Sequence, residues 1–158
     1  MNHRMHRTGT TLLLPLFAGM LLVTGCASTP VADAPGGARH QQASEVAASM
    51  VGKPYRYGGN TPQGFDCSGL VHFSFKNAGM NVPRSTETQR GKSRKVSGTS
   101  LTRGDLLFFN QEGKYSSHVG IYLGGQRFVH APSSGTRVRV DSLTDSYWQK
   151  HLVDTRRF

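Results

Sequence analysis

Cysteine is scarce in this 158-residue chain: there are two, Cys26 and Cys67. A fold stapled by several disulfides is thereby excluded. Acid is scarce too. Nine Asp and Glu stand against nineteen Lys and Arg, a formal charge of +10. Such an excess suits an anionic partner. No apolar run spans a bilayer comfortably: LLLPLFAGMLLV at 12–23 is too short. There is no internal repeat, so a solenoid is excluded. A phosphate loop is incomplete as well. Gly91-Lys92-Ser93 ends like one, but Thr86 stands where the required glycine belongs.

The short apolar run has another use. Residues 1–11 carry Arg4 and Arg7 and no acid, and small residues follow the run. That order is a secretory signal peptide, assigned to 1–25. Pro15 and Gly19 interrupt it, which argues against a core helix. Val23-Thr24-Gly25-Cys26 resembles a bacterial lipobox. The resemblance implies cleavage before Cys26 and acyl chains on its sulfur and amino group, enough for stable membrane anchoring. Ala27 and Ser28 follow, not the aspartate of the inner-membrane sorting rule. Outer-membrane attachment facing the periplasm is therefore expected. Cys67 is left without a disulfide partner, in an oxidising compartment where a lone thiol must be buried or useful. Loss of the leader removes two positive charges and no negative one. An exported lipoprotein rarely meets nucleic acid, so the expected anionic partner is cell-wall polymer and no nucleic acid.

Residues 26–40 are rich in Ala, Pro, Gly and Ser and read as a flexible tether. The domain is placed at 41–158, as a monomer. QQASEVAASMV (41–51) predicts a helix with Ala43, Val46, Ala47, Met50 and Val51 on one face. YRYGGNTPQGF (55–65) reads as loop. Cys67–Ala78 predicts a central buried helix, ended by Gly79. Thr86 and Gln89 have capping-box spacing and predict a short third helix. Five short β-rich segments follow, at 105–109, 118–123, 126–131, 136–141 and 152–158. Helices first and an antiparallel sheet second make an α+β domain.

The chemistry gathers at GFDCSGL. A helix start presents free N–H groups and partial positive charge, which favours a Cys67 thiolate and can hold an oxyanion. Ser68 and Gly69 keep the approach small. Asp66 can cap the helix, but its charge opposes a thiolate, so a cation must help. Histidine is the candidate. His118 and His130 stand on adjacent predicted strands. To be direct cross-strand neighbours they need a three- or five-residue loop around Gly124-Gly125, or a bulge, with Phe128 opposite Gly120. A base beside a thiol, oriented by a third polar group, is a nucleophile arrangement. A three-ligand zinc site is the rival for the same side chains, and the cysteine at a helix start argues against it.

Gly52-Lys53-Pro54-Tyr55-Arg56-Tyr57-Gly58-Gly59, Gly64-Phe65-Asp66-Cys67-Ser68-Gly69-Leu70-Val71, Val82-Pro83-Arg84, Gly104-Asp105-Leu106, His118-Val119-Gly120-Ile121-Tyr122 and His130-Ala131 stand in that order. Together they resemble the NlpC-type cell-wall cysteine peptidases, with lipid-anchored single-domain murein endopeptidases the nearest in kind. The resemblance implies a papain-like α+β fold, N-terminal helices packed on a C-terminal antiparallel sheet. It implies Cys67 as nucleophile, His118 as general base and acid, and His130 as the residue orienting His118. Tyr55, Asp66 and Ser68 fall at substrate-binding or oxyanion positions; Arg84 lies in a block without an assigned role. No metal or cofactor is expected. The implied reaction is hydrolysis of peptidoglycan stem peptides at the diamino acid, either the γ-D-Glu–diaminopimelate bond or the D-Ala–diaminopimelate cross-link, through a thioester. A non-catalytic wall-binding scaffold is the alternative. His72 reads as packing or surface, and His40 and His151 as incidental.

Overall fold

The computed structural model describes Met1, residues 35–111 and residues 113–158. Met1 apart, the leader, Cys26 with its expected lipid, and the tether to residue 34 lie outside the described residues. The described helices and strands belong to the unit Ala32–Phe158.

The first helix, α1 (Pro35–Ser49), begins six residues inside the stretch expected to be tether. Its buried face is His40, Ala43, Ser44 and Ala47, while Val51 lies beyond its end and is 48% exposed. The apolar face expected from the sequence was thus turned too far toward Val46 and Val51: small residues let α1 approach its neighbour closely, and size outranked hydropathy. His40 is not incidental. It is buried, its ring edge-on to Phe75 at 5.7 Å.

The loop that follows holds a two-residue hairpin, β1 (Asn60–Thr61) and β2 (Gly64–Phe65), and leads into α2 (Cys67–Asn77). Asp66 caps α2, its Oδ1 accepting from the Gly69 N–H at 2.7 Å. Leu70, Val71 and Phe75 bury completely against the sheet and α1. Gly79, at φ +74, turns the chain out of the helix, a conformation that favours glycine. The next helix, α3 (Thr86–Lys92), is capped by Ser85, one residue before the expected Thr86. Gln89 does not close a capping box. It is fully buried and its Nε2 donates to the carbonyls of Ser68 (2.9 Å) and Pro83 (2.8 Å), tying α3 to the first turn of α2.

A short strand, β3 (Arg94–Lys95), precedes the main strands β4 (Leu106–Gln111), β5 (Lys114–Gly124), β6 (Arg127–His130) and β7 (Arg139–Ser142). A helix not anticipated from the sequence, α4 (Ser146–His151), runs directly into β8 (Leu152–Arg157). The sheet is six-stranded and antiparallel, in the order β3-β8-β4-β5-β6-β7. Alternation assigns its faces. Leu106, Phe108, Val119, Ile121 and Val129 pack with the buried residues of α1 and α2. Leu107, Phe109, Tyr122 and Phe128 form a second cluster with Leu143 and Trp148 of the α4 side.

The β5–β6 register decides where the histidines fall. Ile121 pairs with Val129 and Tyr122 with Phe128, and a bulge at Gly124 precedes the pair Gly124–Arg127. The expected bulge is present, but the register is two residues from the expected one. Parity survives that displacement, so His118 and His130 share a face, although they are offset along the strands rather than directly opposed. Phe128 stands opposite Tyr122, not Gly120. Its ring nevertheless leans over Gly120, where an added Cβ would lie 2.6 Å from Cδ2.

Gly69 is constrained by a similar contact. A Cβ there would run into the carbonyl oxygen of Gly59. Gly69→Ala is therefore expected to cost about 1–3 kcal/mol through overpacking at a backbone that cannot yield. The urea midpoint measures it, and an unchanged midpoint would mean the β1–β2 loop gives way freely.

Candidate active site

Cys67 is the first residue of α2 and is partly buried, packed against the core. Its sulfur meets the backbone N–H of Val119 on one side of His118 and shares a groove with Ser117 on the other. The thiol therefore meets β5 at the level of His118. Thr86 Oγ1, at the start of α3, lies 3.8 Å from the sulfur. Burial pushes the Cys67 thiol above its ordinary value, against the hydrogen bonds of Thr86, Val119 and Ser68, and Asp66 adds to the rise. The expected thiolate is thus not the resting form. The helix start and its N–H groups act in the expected direction, but burial outweighs them.

The charge of Asp66 is itself met by an arginine. Arg84 grips both oxygens of the Asp66 carboxylate at 2.9 and 2.7 Å, and donates to Ser68 Oγ and to the Gly59 carbonyl. It neutralises the capping carboxylate next to Cys67 and pins α2 to the turn before β1. Only the sequence block around Pro83-Arg84 hinted at this. The partner lies eighteen residues away, and no local pattern links the two.

His118 and His130 are buried, at 2% and 0% exposure. His118 Nε2 and His130 Nδ1 are 2.8 Å apart. β4 pairs with His118 through Phe109, but β6 stops at His130 and leaves the other side of His118 unpaired, so the offset rings can meet. A third group was missed in the sequence. Asp141 on β7 lies 3.0 Å from His130 Nε2, and its carboxylate also accepts from Trp148 Nε1 at 3.1 Å and from Arg139. Its register, opposite Phe128 on β6, is a product of the sheet, and an aspartate ending a strand-like segment carries no signal by itself. Among the described residues no set of His, Cys, Asp and Glu is arranged to hold a metal ion.

Both imidazoles are neutral at pH 7. Burial, with His130 and Arg139 nearby, holds His118 well below 6.5; burial brings His130 down to about 4 despite the Asp141 carboxylate. Unfolded histidines titrate near 6.5, so unfolding takes up protons below that pH. Stability is thus full above about pH 6.5 and declines as the pH falls. For His130 alone the loss reaches about 3 kcal/mol by pH 4. Urea midpoints at pH 7 and pH 4.5 test this: the wild type is expected to weaken, and His130→Gln to weaken less. Equal losses in both proteins would show that other groups govern the acid limb.

A groove of about 370 Å³ runs over the thiol, lined among others by Tyr55, Asp66, Cys67, Ser68 and Arg84. The structure thus gathers Tyr55, Asp66 and Ser68 around Cys67 as expected, but with different local partners. Ser68 is 6% exposed and its Oγ is bonded to Asp66 and Arg84. Tyr57, 88% exposed, stands at the groove edge. Chemically, the arrangement combines a partly buried thiol, helix-start N–H groups and a base whose second nitrogen is already engaged. That combination suits attack on a carbonyl.

Comparison with known proteins agrees with the geometry. The family model described as the NlpC/P60 family matches residues 52–157. Murein DD-endopeptidase MepH of Escherichia coli is 38% identical over 144 residues, covering 85% of this chain and 53% of that protein. Bifunctional muramidase/DL-endopeptidase CwlT of Bacillus subtilis is 41% identical, covering 75% of this chain and 36% of that one. The chain thus spans about half or less of these two relatives. A crystal structure of an NLP/P60 family protein from Staphylococcus aureus superposes with a TM-score of 0.66 at 36% identity, over 75% of this chain and 41% of the other.

Proposed function

The chain belongs to the NlpC/P60 family, and from that premise we propose that it is a cysteine peptidase cutting the stem peptides of peptidoglycan. The observation that carries the reading is the Cys67 sulfur held against β5 at the level of His118, whose ring is bonded to His130. In this mechanism substrate enters the groove and its carbonyl meets the thiol. His118 takes the thiol proton as the sulfur attacks, so no thiolate need exist beforehand. The N–H groups at the start of α2 receive the oxyanion. His118 then protonates the leaving amine of the diamino acid. Water, deprotonated by the same imidazole, hydrolyses the thioester. His130 holds the ring throughout. Relatives named as DD- and DL-endopeptidases match at similar identity, which supports two candidate bonds, D-Ala–diaminopimelate or γ-D-Glu–diaminopimelate.

The test uses cross-linked peptidoglycan and, separately, monomeric muropeptides, with products identified by mass. Loss of dimers with monomers untouched identifies the cross-link. Cut monomers releasing a fragment that begins with the diamino acid identify the γ-D-glutamyl bond. A folded protein that cuts neither overturns the reading in favour of a wall-binding scaffold.

Lipid attachment at Cys26 is part of the same proposal, supported by the Val23-Thr24-Gly25-Cys26 pattern. It would hold the domain at the outer membrane, facing the periplasmic wall. Cys26→Ala is expected to abolish palmitate labelling and release the protein from membranes; labelling that persists would refute it.

A further inference from the structure

We propose that Asp141 is a positioning residue that sets the tautomers of both histidines and so leaves His118 Nδ1 free to take the Cys67 proton. The inference deepens the peptidase reading and rests on it for its kinetic consequence. Counting protons along the contacts leads to it. A carboxylate has only acceptors, so the 3.0 Å contact with Asp141 requires the His130 proton to be on Nε2. A neutral imidazole has one N–H, so His130 Nδ1 must be an acceptor. The 2.8 Å contact between the rings then requires His118 to donate from Nε2. Its single proton is spent there, and Nδ1 keeps its lone pair. Nδ1 is the ring nitrogen nearer the backbone, and the thiol meets that backbone at the adjoining N–H of Val119.

Without the carboxylate the relay has no fixed sense. Two neutral imidazoles can share their bond either way, and the reverse places a proton on His118 Nδ1, where it blocks the base. Asp141 is itself fixed. Trp148, buried at 5% exposure, donates its indole N–H to Oδ2, and Arg139 donates to both oxygens. Hydrogen bonds from Arg139 and the neighbouring His130 hold Asp141 ionised, its pKa lowered although partial burial opposes this. Asp141 lines a separate groove of about 460 Å³ with Arg139, Tyr147 and Trp148, not the groove over Cys67. Its removal should therefore act on turnover and spare substrate binding.

The experiment pairs kinetics with 15N spectra of the imidazole rings in the wild type, Asp141→Ala and Asp141→Asn. The wild type is expected to show Nε2–H on both rings at pH 7. Asp141→Ala is expected to mix the tautomers and lower kcat about tenfold to a hundredfold, with KM within about threefold. Asparagine still offers an oxygen to the three donors gathered at Oδ2, so Asp141→Asn should keep the tautomers and most of the rate. A proton on His118 Nδ1 in the wild type overturns the proposal, whatever the variants do. So does Asp141→Ala with unchanged tautomers, or Asp141→Asn falling as far as alanine. If the wild type cuts no substrate, the peptidase reading fails, and its spectrum still decides the tautomer assignment.

Discussion

On the proposed peptidase reading, Cys67→Ala is expected to lower stem-peptide cleavage by at least about a thousandfold while leaving the fold intact, because it removes the proposed nucleophile and little else. Among the described residues the thiol has one side-chain hydrogen-bond partner, Thr86 at long range, and it packs only at the margin of the core. Its loss therefore falls on chemistry rather than stability. His118→Ala should reach nearly the same rate, and the double variant should be no slower than either single one. Residues that act as one unit are not additive. Product formation by mass and a thermal melt, read together on the three variants, check this. An alanine variant that still cuts within about tenfold of wild type would mean that the thiol is not the nucleophile.

The second large effect is on stability. Arg157→Met is expected to cost about 3–5 kcal/mol, because it strands the Asp105 carboxylate in the interior. Asp105 is fully buried. Its oxygens accept from Arg157 at 2.6 and 2.7 Å and from the Thr102 N–H at 2.8 Å. Its own carbonyl accepts from the Tyr122 N–H on β5. The pair thus clamps the end of β8 to the entrance of β4, beside the strand that carries His118. Adding Asp105→Asn to Arg157→Met removes the stranded charge but keeps an acceptor for Thr102, and should recover about half the loss. Urea midpoints of the two singles and the double complete the cycle. A loss below about 1 kcal/mol for Arg157→Met would show that the carboxylate finds other partners.

Asp105 also illustrates what a sequence block conceals. Gly104-Asp105-Leu106 is legible as a motif, but its use as a buried anchor depends on Arg157, fifty-two residues later. The same holds for Arg84 and Asp66. Local signals fared better. Asp66 before an apolar helix marked the start of α2, and Gly79 its end, since caps and left-handed turns are matters of a few adjacent residues. α4 escaped notice because six residues carry too little periodicity to mark a helix. The expected face of α1 held at Ala43 and Ala47, which are buried, and failed at Val51, which lies beyond the helix end and is exposed.

The sequence by itself determined the order of helices and strands, the thiol at the first turn of α2, and the shared face of His118 and His130. These follow from composition, spacing and parity, which survive a two-residue displacement of register. Only the tertiary structure decided which groups meet. The bulge at Gly124 set the offset that brings the two rings to 2.8 Å. The pairing of β7 with β6 brought Asp141 to His130. Burial beside Thr86 of α3 and Val119 of β5 raised the thiol that a helix start alone would have lowered. Contacts, desolvation and proton positions arise from residues far apart in the chain, and a linear pattern does not contain them.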